Sequence, residues 1–171
     1  MQATAGEFSL SKLSNGEIDM LAVLGQIPLF QGLPEEALDE IIAQTTIFQA
    51  YSGQTIIEEG DEARELYLLL QGRVKIQVES ITPYVEIGIT KLGTGEVLGE
   101  MSLLGPQPRS ATVVTLEKSE LARIPAQPLI EIAEDNSDWG VVLMRNLAQV
   151  LSDRLRCMNR RMLNYVRARY Y

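Results

Sequence analysis

Between Gly93 and Val114 the chain reads GTGEVLGEMSLLGPQPRSATVV, a stretch whose residue types can hold a phosphate-like anion. Gly99 precedes Glu100-Met101-Ser102-Leu103-Leu104, which suit a very short helix. A glycine at that point lets backbone pass close to a ligand. The free N–H groups that open such a helix favour negative charge. Arg109 lies nine residues after Glu100, across a loop containing Gly105, Pro106 and Pro108. Its guanidinium fork matches two phosphate oxygens, and Ser110 can donate a hydroxyl hydrogen to the same group. Glu100 is the odd member, because a carboxylate beside a phosphate is unfavourable unless it faces a ribose hydroxyl or Arg109 itself. Spacing alone leaves a plainer alternative open, in which Glu100 and Arg109 form an ordinary ion pair closing a surface loop.

Composition removes other chemistries. The chain of 171 residues has no histidine and one cysteine, Cys157. Histidine metal sites, Ser-His-Asp triads and histidine acid–base catalysis are therefore excluded, as are an intrachain disulfide and a cysteine-cluster zinc site. A metal-dependent oxygenase or phosphodiesterase lacks its machinery here, and no cofactor is expected. Fifteen basic residues against 23 acidic ones give a net charge of -8, which argues against nucleic acid as the main partner. No apolar run is long enough to span a membrane, and the first residues have neither the basic start nor the apolar centre of a secretory signal. A single cysteine fits a reducing compartment, so a cytoplasmic location is expected.

Three parts are expected to position these residues. Residues 1–45 read as a helical segment, with one helix over Leu13–Gln26 and a second over Pro34–Gln44, where Pro34 opens the turn and Glu35 and Glu36 favour the positive end of the helix dipole. Residues 46–125 read as short strands cut by Gly53, Gly60 and Gly72. Val74, Ile76 and Val78 alternate within one strand, and further strands are expected near 86–90, 111–115 and 120–124. Strands at intervals near ten residues suggest a barrel or jelly roll. Residues 126–171 hold a short helix opened by Pro125 and Pro128, then a helix from about Ser137 to Arg169. Within it Leu143, Leu147, Leu151, Leu155, Met158, Met162 and Tyr165 approach a heptad seam. A helix of that length reaches about 50 Å, more than a small domain covers, so a homodimer through residues 143–165 is expected. Residues 1–100 carry 16 acids and 5 bases, whereas six arginines and no acid follow from Arg154 onward. Pairing of that row with the acidic body is the expected arrangement.

The residues IPLFQGLPEEAL, YSGQTIIEEGDEARELYLLLQGRVKI, GEMSLLGPQPRSA and LARIP resemble the cyclic nucleotide-binding domain family over roughly residues 27–159. This family includes the bacterial catabolite activator and the regulatory subunits of cyclic-nucleotide-dependent kinases. The resemblance implies an α+β fold: an eight-stranded β-roll, double-stranded β-helix or jelly-roll-like, flanked by N-terminal helices and a long C-terminal helix. It makes residues 99–111 the phosphate-binding cassette. Glu100 would take the ribose 2′-hydroxyl, Arg109 the cyclic phosphate and Ser110 the phosphate or the purine, with backbone of Gly99, Met101 and Ala111 lining the pocket. Serine after the arginine resembles the activator, which prefers cAMP; cGMP is the second candidate. Where the activator reads adenine with a Thr-Ser pair on its long helix, a gapless placement puts Met158 and Asn159, of which Asn159 can still bond the adenine edge.

The resulting expectation is a non-enzymatic cyclic nucleotide sensor, reorganising near residues 135–140 and signalling to an unidentified protein partner. The alternative is a degenerate domain kept for dimerisation and protein interaction. The chain stops two residues after Arg169, leaving no room for the activator's DNA-reading helices, so no specific DNA binding is expected.

Overall fold

The structure, a computed structural model, describes residues 17–78 and 90–170. After helices α1 (Met20–Leu24) and α2 (Glu35–Ala43) come strands β1 (Thr46–Ala50), β2 (Thr55–Ile57), β3 (Glu65–Gln71), β4 (Arg73–Gln77), β5 (Thr90–Gly93) and β6 (Val97–Leu98). A short 3-10 helix (Glu100–Leu104) leads to β7 (Thr112–Thr115) and β8 (Ser119–Pro125), and helices α3 (Ala126–Asp135) and α4 (Ser137–Tyr170) complete the order. The strand expected near 86–90 lies mostly outside the described residues, as does the start of the helix expected from Leu13.

The α+β class, the eight strands among the described residues and the flanking helices are as expected, but the β-roll is not. The strands form two open four-stranded sheets, in the orders β1-β8-β3-β6 and β2-β7-β4-β5, all neighbours antiparallel. A closed barrel or roll needs ladder hydrogen bonds that continue around the seam. Here the ladders end at β1 and β6 in one sheet and at β2 and β5 in the other. The chain changes sheet at every connection except β4 to β5, and the corners after β1, β2, β3 and β5 contain Gly53, Gly60, Gly72 and Gly95 at positive φ. A side chain at Gly72 would strike Ser119 Oγ at 2.3 Å, so that corner is closed to other residues. Such frequent, tight corners end each ladder after a few residues and leave side-chain packing to join the sheets.

That packing makes two cores. Between the sheets lie Ala50, Ile57, Leu69, Val74, Leu98, Val113 and Leu121. On the other face of the first sheet, Leu66, Leu68, Leu70, Ala122 and Ile124 pack against the helices. Alternation along a strand accounts for both: the even-numbered leucines of β3 face the helices and Leu69 faces the second sheet. The run LYLLL is apolar throughout because both of its faces are covered. Val78, expected to continue the Val74–Ile76 face, falls beyond the end of β4 and is exposed.

Helix α4 docks through its first half. Leu143 and Leu147 are buried with α3, and Gly140 lets the helix start against α3, since a Cβ there would stand 2.4 Å from the Ala133 carbonyl oxygen. Asn136 breaks the path between the two helices, and its side-chain oxygen accepts from the amides of Asp138 and Trp139. Farther on, Leu155, Met158 and Met162 are 59%, 64% and 69% exposed. Among the described residues no helix is long and apolar enough to cross a membrane.

Candidate functional site

The loop between β6 and β7 folds over the open end of the inter-sheet core. A cavity of about 100 Å³ forms there, floored by Ile57, Ile76, Leu98 and Val113. Six of the seven residues singled out from sequence line it: Gly99, Glu100, Met101, Arg109, Ser110 and Ala111. Asn159 is exposed on α4, five residues past Arg154, and is not among the lining residues.

Local backbone fixes the two charged members. Arg109 is clamped to the turn after β2: its amide donates to the Asp61 carbonyl at 2.8 Å, and its carbonyl accepts from the Gly60 amide at 2.9 Å. The guanidinium is buried. Nη2 donates to the Glu65 carbonyl at 2.7 Å and Nη1 to Ser102 Oγ at 2.9 Å, with longer contacts to the Gly99 carbonyl at 3.5 Å and Glu65 Oε2 at 3.4 Å. Gly99 has φ +71°, and a Cβ built on it would stand 2.4 Å from Arg109 Nη1 and 2.8 Å from the Glu65 carbonyl oxygen. Glycine is thus required twice, for the left-handed turn and for the space the guanidinium occupies. The short helix that follows carries Glu100, Ser102 and Leu103 inward and leaves Met101 and Leu104 exposed. Ser110 Oγ lies 3.8 Å from Met101 Sδ, at the exposed side of the cassette.

Glu100 and Arg109 are not paired with each other. Glu100, only 3% exposed, meets Arg154 of α4, with Nη1 2.5 Å from Oε2, and Arg154 Nη2 also donates to the Val97 carbonyl. Arg109 instead faces Glu65. The simple loop-closing ion pair that spacing allowed is therefore not what the cassette contains. Beside this cluster, burial and then the Glu65 carboxylate push the Tyr67 hydroxyl above its ordinary pKa, while Arg109 and Arg123 pull it down.

Arg154, Glu65 and Ser102 were not singled out from sequence. One signal pointed to Arg154: it follows Leu147 and Leu151 at spacings of 7 and 3, so a charge stands on the face that packs inward. The arrangement offers a buried carboxylate for a hydroxyl donor and a buried guanidinium for an anion, over an apolar floor. Among the described residues no group of three or more carboxylate or cysteine side chains is placed to hold a metal.

Comparison with known proteins bears on the fold and its family. The family described as cyclic nucleotide-binding domain matches residues 48–136. Glutaminase 1 of Bradyrhizobium diazoefficiens is 33% identical over 132 residues, which are 77% of this chain and 21% of that protein. The cyclic AMP receptor protein of Thermus thermophilus is 32% identical over 129 residues, 75% of this chain and 57% of that protein. The chain thus spans about a fifth of the first and somewhat over half of the second. A crystal structure of a cyclic nucleotide-binding domain from Methylobacillus flagellatus superposes with a TM-score of 0.71 at 26% identity, covering 85% of this chain and 82% of that one.

Proposed function

The chain belongs to the cyclic nucleotide-binding domain family, and from that premise we propose that its cassette cavity takes a purine cyclic nucleotide, cAMP in preference to cGMP. A domain of this kind is a sensor or regulatory unit that acts by conformational change and not by catalysis. The observation that carries the ligand reading is the separation of the two buried charges: Glu100 and Arg109 share one cavity without pairing. Arg109 would give up its two long contacts, at 3.4 and 3.5 Å, for the cyclic phosphate. Glu100 would accept from the ribose 2′-hydroxyl, so its charge faces a donor and not the phosphate. Ser110 and the backbone of Gly99, Met101 and Ala111 complete the rim, and Asn159 is the candidate for the adenine edge if α4 closes over the ligand. The cAMP receptor protein of Thermus supports adenine as the base.

Equilibrium dialysis of nucleotide-stripped protein against cAMP, cGMP and 5′-AMP tests this. Retention of cAMP over 5′-AMP is expected. Retention of neither cyclic nucleotide would leave the interaction module as the better reading.

Homodimerisation is part of the same proposal. Leu143 and Leu147 are used within the subunit, which leaves Leu155, Met158 and Met162 as the exposed row a second α4 would cover. Light scattering at tens of micromolar should give the mass of a dimer, and a strict monomer would remove the helix pairing. The setting is proposed to be cytoplasmic, with the signal passed to a protein partner.

A further inference from the structure

Ser102 is a polar side chain in an apolar setting. It is buried, and its neighbour Leu103 belongs to the core under the helices. A buried hydroxyl is unfavourable unless it is bonded. Among the described residues its side-chain bond is to Arg109: Ser102 Oγ accepts from Nη1 at 2.9 Å. The hydroxyl is itself well placed. The Ser102 amide donates to the Gly99 carbonyl at 3.1 Å, which ties the serine to the glycine that makes room for the guanidinium.

The contacts of that guanidinium fall into two kinds. Nη2 to the Glu65 carbonyl, at 2.7 Å, and Nη1 to Ser102 Oγ, at 2.9 Å, have ordinary hydrogen-bond lengths. Nη2 to Glu65 Oε2, at 3.4 Å, and Nη1 to the Gly99 carbonyl, at 3.5 Å, are weak. Each terminal nitrogen thus has one short anchor and one long contact. Each also carries two hydrogens, so the anchors engage one apiece and leave one apiece for a ligand's oxygens. Turning the guanidinium about its Cζ–Nε bond breaks both anchors at once. With either anchor removed, it breaks only one. The Glu65 anchor is main chain, whereas the Ser102 anchor belongs to a side chain and can be deleted.

Resting on the cyclic nucleotide reading, we propose that Ser102 is a positioning residue for phosphate recognition. Its hydroxyl and the Glu65 carbonyl clamp both terminal nitrogens of Arg109, so the fork is already aimed when the cyclic phosphate arrives. Ser102 acts through the arginine. Alanine at this position would fill most of the same space but leave the fork free to turn, and the ligand would then have to immobilise it.

Side-chain nitrogen NMR of ligand-free protein reads the clamp directly, with the Arg109 signals identified by their loss in Arg109→Lys. In the wild type Nη1 and Nη2 should give two separate signals, because rotation about Cζ–Nε is slow. Ser102→Ala should merge them, and in calorimetry should bind cAMP about fivefold or more weakly than wild type. A role in folding alone would lower the melting temperature and leave the two signals apart. Merged signals in the wild type, or separate signals in Ser102→Ala, overturn the clamp. Merged signals in Ser102→Ala with cAMP affinity unchanged overturn its part in recognition. Failure of the wild type to take up cAMP at all would instead fell the ligand reading and the part in recognition with it, and the NMR signals would still decide whether the clamp exists.

Discussion

Arg109 and Arg154 line one cavity, but the first is placed by its immediate neighbours and the second by the packing of a distant helix. Arg109 sits in a loop whose backbone is bonded to the Gly60–Asp61 turn, and its side chain fills the space left by Gly99. Arg154 depends on Leu143 and Leu147 to bring α4 against the helical core, and reaches Glu100 from 54 positions away in the chain. The cassette is therefore set by local contacts, and the position of α4 by its packing on the helical core. Substitutions near Gly99 should damage recognition, while substitutions along the buried start of α4 should damage its docking.

The largest effect is expected on the helix side. Leu147→Ala removes a side chain that is 1% exposed, and should lower stability by about 2–5 kcal/mol in urea unfolding. If the two regions are set independently, ligand affinity per folded molecule should change much less. A parallel collapse of affinity would show that the two regions are not independent. Gly99→Ala follows: it places a methyl group 2.4 Å from Arg109 Nη1 in a left-handed turn. Calorimetry should show cyclic nucleotide binding weakened at least as much as by loss of the arginine itself, with α4 still helical by circular dichroism. Arg109→Ala should weaken binding at least tenfold, since a sheltered charged hydrogen bond contributes roughly 1.5–3 kcal/mol.

The same contrast governs how much was legible in the sequence. The cassette is contiguous, so Gly99, Glu100, Met101, Arg109, Ser110 and Ala111 could be read as one site, and the structure brings them together. Arg154 could not be assigned to it, because its partner is chosen by where α4 lands and not by local spacing. The row of arginines facing an acidic body did point to internal pairing, and Arg154–Glu100 is one such pair. The strands of the second half, β7 and β8, lie close to where alternation placed them. Their assembly does not follow from it: regular strand spacing suggests a roll, whereas the glycine corners carry the chain between two open sheets. Spacing reports strand length and turn position, and is blind to which ladder each strand joins.

Two smaller effects sharpen the electrostatic side of the comparison. Tyr67, near Arg109, has its pKa raised chiefly by burial. The folded protein holds the neutral phenol more firmly than the unfolded chain does. Its contribution is thus complete below the ordinary tyrosine value near ~10 and is lost as pH rises through the higher folded value. Tyr67→Phe should flatten the alkaline decline in melting temperature relative to wild type. Smallest of all is the pair Arg73–Glu117, joined at 2.8 Å on the surface. Glu117→Gln should leave melting temperature and ligand affinity unchanged, in contrast to Glu100→Gln, because exposed ion pairs contribute little.

Calorimetric titration of nucleotide-stripped protein with cAMP, beside Arg109→Ala, tests the central claim most directly. Saturable binding at one site per chain, weakened at least tenfold in the variant, is the result predicted. Absence of heat with both cAMP and cGMP, or an affinity that Arg109→Ala leaves untouched, would contradict it.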